Sequence, residues 1–165
     1  MWVAGLKKII QLSGRYISWL ALLLVLTEFS VVFLRYVFNW GALWLQDSVV
    51  YMHGFLFLLG AAFTFQNDQH VRVDILYLNM SSHKKASVNL WGCLVFVIPL
   101  CLFVFITSWP YVMASWKVYE GSLEAGGLPA IFVLKTTLLI FPILLILQAV
   151  TTVYDSLQLR KGQQT

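Results

Sequence analysis

The stretch "FLLGAAFTFQNDQHVRVDI", Phe57 to Ile75, decides the fold. Up to Phe65 nearly every side chain is apolar. From Gln66 onward polar residues crowd in, and His70, Arg72 and Asp74 follow one another at a spacing of two. Such a trio fits a metal or catalytic cluster, the edge of a strand, or the point where a chain leaves a membrane. The rest of the sequence chooses among these.

The chain has 165 residues, of which 60% are hydrophobic and 11% charged. A soluble domain carries roughly 25% charged residues, so the composition is that of a membrane protein with the lipid bilayer as its solvent. Four apolar segments reach the roughly 20 residues that a helix needs to cross the hydrocarbon core. They lie at about 16–38, 47–65, 88–109 and 129–154. None shows the alternation of a transmembrane β-barrel strand. The expected fold is an all-α integral membrane protein, a single membrane domain over 1–165 with four transmembrane helices. "MWVAGLKKIIQLSG" at the start has Trp2, Leu6, Ile9 and Ile10 beside Lys7 and Lys8, the pattern of a short interfacial helix. A second short helix is expected in the 66–87 loop, where Asp74 opens "DILYLNM". With no other strand to pair with, "HVRVDI" reads as a membrane exit.

The net charge of +4 acts here as a topology signal and not as a sign of nucleic acid. Lys7, Lys8 and Arg15 precede the first span; Arg72, Lys84 and Lys85 lie between the second and third; Arg160 and Lys161 follow the fourth. Only Arg35, Lys117 and Lys135 stand on the other side. Positive residues favour the cytoplasm, so both termini and the 66–87 loop are expected there, with the 39–46 and 110–128 connections opposite. Asp47 is placed to cap the second helix, and Ser81 or Ser82 the third. Pro99 and Pro142 fall inside spans and are expected to kink them.

Among the polar residues inside the spans, Glu28 and His53 call for a reading. Glu28 is near the middle of the first, where a charge costs about 2.5–3.5 kcal/mol on insertion scales. Fourteen Ile, Leu, Val and Phe residues between Tyr16 and Phe38 outweigh that cost. Glu28 is therefore expected to face protein, either as a hydrogen-bonded structural group or as an ion-coupling carboxylate. His53 shares a helical face with Gly60 and Thr64, a small-residue surface suited to close packing. A haem or metal role for it needs a second ligand at the same depth, and His70 and His83 lie in the 66–87 loop. Cys93 and Cys101 are eight residues apart on one helix, about 12 Å along its axis, too far for a disulfide. No nucleophile motif, phosphate loop or metal-ligand set is present, so neither an enzyme nor a bound cofactor is expected.

"RYVFNWGALWLQDSVVYMHGFLFLLGAAFTFQNDQHVRVDI", Arg35 to Ile75, resembles the signature of the small membrane subunit of tripartite ATP-independent periplasmic (TRAP) transporters, the DctQ-like family. The family pattern Arg-Tyr-x-Phe-Asn is matched by Arg35, Tyr36, Phe38 and Asn39. Its Trp with following acids is matched by Trp44 and Asp47, with Gln46 in place of the first acid. Its Leu-Gly-Ala-Ala is matched by Leu59 to Ala62, including Gly60, and its His-x-Arg-x-Asp by His70, Arg72 and Asp74. The resemblance implies a bacterial inner-membrane subunit that braces a large TRAP membrane subunit. It also implies docking of a periplasmic substrate-binding protein and sodium-driven uptake of an organic acid. Two other classes compete: a stand-alone proton-coupled exporter built on Glu28, and a membrane anchor of a respiratory complex, which would need paired intramembrane histidines.

Overall fold

Inside a bilayer, backbone groups find no water, and an apolar run without alternation satisfies them only as a helix. The computed structural model describes residues 2–67 and 80–162 in those terms. Helix α1 runs unbroken over Trp2–Phe38, 37 residues or about 55 Å at 1.5 Å per residue. Helix α2 is Leu43–Gln66. Helix α3, Ser82–Trp91, passes through a π-helical turn at Gly92–Val97 into α4, Ile98–Lys117. Helix α5 is Ile131–Gly162. Four rods, Val3–Phe38, Leu43–Gln66, Ser82–Lys117 and Ile131–Arg160, are each long and apolar enough to cross a membrane. The described residues contain no strand.

The N-terminal residues are helical, but as the opening turns of α1 and not as a separate surface helix. Contacts with the rest of the molecule hold them there. Ile10 is fully buried. Lys7 Nζ meets Asp155 Oδ2 at 2.6 Å. Gln66 Nε2 donates to the Lys7 carbonyl at 3.0 Å. Gly14 lets the Phe63 ring lie on the α1 backbone, since a Cβ there would come within 2.1 Å of ring atoms.

The prolines act differently from one another. Ahead of Pro99 the Ile98 N–H bonds to the Cys93 carbonyl, five residues back. That wider turn absorbs the bond that Pro99 cannot make. Pro110 sits inside α4, which continues to Lys117, so the connection to α5 begins after residue 117 and not at 110. Pro142 is buried within α5. Ser81 caps α3, its hydroxyl accepting from the Lys84 N–H at 3.5 Å.

Helix α5 forms the centre. It packs against α2 on one side and against α3 and α4 on the other, while α1 packs chiefly on α2. The buried set is rich in small and hydroxyl residues: Ala62, Ala86, Ala149, Ser115, Thr137, Thr151 and Ser156. In a bilayer, helices are not driven together by water, and small residues that admit close approach do that work. Two of the buried hydroxyls are satisfied on their own helix: Thr137 donates to the Leu134 carbonyl at 2.6 Å and Thr151 to that of Gln148 at 2.8 Å. Cys93 and Cys101 are buried, and neither is in a disulfide.

Candidate functional site

The end of the bundle opposite the termini is built around one short connection, residues 118–130. Asp47, expected to cap α2, does another job. Ala42 is the N-cap, and Asp47 Oδ2 accepts from the Leu128 backbone N–H at 2.9 Å. Tyr51 reaches the Leu128 carbonyl with its hydroxyl at 3.4 Å. The same carbonyl accepts from the Ser122 N–H at 3.0 Å, which closes the loop on itself. Gly127 makes this possible. A Cβ there would lie 2.3 Å from Ser122 Oγ and 2.5 Å from Asp47 Oδ2.

The other side of the connection is held by charge and aromatic rings. Lys135 Nζ bonds Glu120 Oε2 at 2.5 Å and stands 4.0 Å from the centre of the Tyr111 ring. The ammonium beside it holds the Glu120 carboxyl below the usual carboxylate range. Phe132 meets Trp116 and Tyr119 edge-on, and Trp116 Nε1 donates to Thr136 Oγ1 at 2.9 Å. A pinned loop results, with Leu123 97% exposed at its tip. Tyr119, Trp40 and Trp44 are exposed at the same end. Nothing in the sequence singled out Leu123 or the Glu120–Lys135 pair. The signal present was an acid at the head of "EGSLEAGGLP" and a lone Lys in the first turns of an apolar helix.

The residues singled out from the sequence fall into separate places. Arg35 is in the last turn of α1, where a cation complements the helix dipole. Asn39 follows in the left-handed region, φ 49°, a conformation that Asn tolerates well as a helix stop. Trp44 lies half-exposed in the first turn of α2, as an aromatic belt residue does. Gly60 approaches α1: a Cβ there would meet Ile17 at an ordinary 3.7 Å. His70, Arg72 and Asp74 lie outside the described residues.

His53 is exposed, its ring parallel to that of Phe57 at 6.5 Å between centroids. Among the described residues no group of three or more His, Cys, Asp or Glu is placed to hold a metal ion. Glu28 is also exposed, and no described residue bonds it. The interhelical hydrogen bond expected of it is therefore not made within the described chain. Its neighbours Thr27 and Ser30 donate instead to the Leu23 and Leu26 carbonyls, at 2.8 and 2.7 Å.

At the terminus-bearing end, Lys7, Gln66, Ser82, Asn89, Gln148 and Asp155 line a polar cavity of about 510 Å³. Gln148 is 4% exposed.

Comparison with known proteins adds the context that geometry alone does not. Residues 16–159 match the family model described as tripartite ATP-independent periplasmic transporters, DctQ component. One relative is the C4-dicarboxylate TRAP transporter small permease protein DctQ of Vibrio cholerae serotype O1. It is 27% identical over 88 residues, which cover 53% of this chain and 38% of that protein. The match thus spans well under half of the relative's length. No solved structure matches the chain. With four membrane-crossing helices and a family match that runs through all of them, the chain belongs to the DctQ-component family of TRAP transporters.

Proposed function

We propose that this chain is the small permease subunit of a bacterial inner-membrane TRAP system that takes up an organic acid with sodium. In this reading it braces a large membrane subunit that carries substrate and ion. Its 118–130 rim faces the periplasm, receives the substrate-binding protein, and both termini are cytoplasmic. Family membership supports the reading. So does the name of the Vibrio cholerae relative, a C4-dicarboxylate transporter component.

The observation that carries it is the pinned rim. A loop held by Asp47 on one flank and Lys135 on the other can present Leu123, Tyr119, Trp40 and Trp44 without first being ordered. Preorganisation lowers the entropic cost of binding, and aromatic groups dominate such contacts. The eight cations that precede the first span, lie between the second and third, or follow the fourth fit the cytoplasmic side. His70, Arg72 and Asp74 are proposed to lie on that side and to serve contact with the large subunit. The test is binding of the secreted binding protein to the detergent-purified membrane complex. Leu123→Asp is expected to weaken binding about tenfold or more while leaving the complex assembled. Unchanged binding would remove the rim from the account.

A further inference from the structure

We propose that the groove between α1 and α2, beside Glu28 and His53, seats a transmembrane helix of the large membrane subunit. That helix brings a hydrogen-bond donor or a cation to the Glu28 carboxyl. The proposal rests on the reading above that this chain works beside a larger membrane protein, and it names the face used.

Glu28 carries the argument. It sits near the centre of the membrane-crossing part of α1, is exposed, and has no bonding partner among the described residues. The nearest hydroxyls on its own helix, Thr27 and Ser30, are committed to backbone carbonyls. Acids at such depth are rare and face protein or a watery cavity, because hydrocarbon offers no donor. No described residue supplies one, and that role is assigned to a helix of the large subunit. Helix α1 has room for one, since it packs chiefly on α2 and otherwise on α5.

The groove tells where that partner lies. It holds about 670 Å³ and is lined by Gly14, Ser18, Ala21, His53, Phe57 and Gly60 among others. Small residues along both walls let a third helix come close. Glu28 is seven residues, or two turns, beyond Ala21 on the same stripe of α1. A helix laid in the groove thus passes His53 and reaches Glu28. Lipid chains would fill the groove but bring no donor at that depth. A second copy of this chain would set two carboxyls against each other, which disfavours ionisation of both.

The test uses the full complex, with a photo-reactive phenylalanine analogue in place of Phe57 in the groove or of Phe103 on α4. Both native side chains are well exposed, at 72% and 65%. The Phe57 probe is expected to form an adduct with the large subunit, and the Phe103 probe none. Glu28→Leu is expected to lower recovery of the large subunit about tenfold, with Glu28→Gln within about twofold of the native chain. An intact complex in which Phe57 labels nothing, or only a second copy of this chain, would overturn the assignment of the face. So would full recovery with Glu28→Leu. If the native chain recovers no large subunit at all, the subunit reading itself fails, and this proposal with it.

Discussion

Gly127 and Asp47 show how a single position fixes the outer loop. The Asp47 carboxylate bonds the Leu128 N–H only because Gly127 carries no Cβ to stand in its way. Loss of a charge-assisted bond to a part-buried N–H costs about 1–3 kcal/mol, so Asp47→Ala should lower the melting temperature in detergent and open the 118–130 connection to protease. Gly127→Ala should do the same by pushing the carboxylate away. Glu120 adds a pH dependence whose sign follows from its lowered pKa. A carboxyl held below its unfolded value, about 4.3, contributes fully above that value and loses its contribution as pH falls through the folded one. The melting-temperature advantage of the native chain over Glu120→Gln should be flat from about pH 5 to 8 and shrink below about pH 4. An advantage that instead grew in acid would contradict the pairing with Lys135.

At the scale of the helix, the two glycines where α1 and α2 approach make opposite demands. A Cβ at Gly14 overlaps the Phe63 ring, whereas one at Gly60 meets Ile17 at contact distance. Gly14→Ala should therefore destabilise the pair by about 1–3 kcal/mol, the usual cost of overpacking, and Gly60→Ala should be near neutral in the same thermal assay. Apolar run length found the four membrane-crossing helices of the described residues, because a run of about 20 such residues has few other uses. It did not locate the ends. The third apolar segment was read as ending at about 109, yet proline is tolerated within membrane helices, and α4 passes through Pro110 to Lys117. Lys7 looked like a topology charge only, whereas its bond to Asp155 spans 148 positions and no local pattern reports it.

For the molecule as a whole, the asymmetry of charge and the arrangement of helices support the proposed topology. Lys7, Gln66, Ser82 and Asp155 gather at one end, and Asp47, Glu120, Leu128 and Lys135 at the other. Reporter fusions after Lys8, near Ser82 and after Lys161 should read cytoplasmic, and one near Gly121 periplasmic. A periplasmic signal at Ser82 would invert the account. The candidate rim was legible only in part: the motif gave Trp44 and Asp47, but the use of Asp47 to pin a loop 81 residues away depends on tertiary packing. In the proposed function this chain supports transport and does not perform it alone. Sealed vesicles containing the purified chain alone, or the chain with its large membrane subunit, can be given a sodium gradient, binding protein and labelled organic acid. No uptake is expected from the chain alone, and sodium-dependent uptake from the pair. Uptake by the chain alone, abolished by Glu28→Gln, would contradict it.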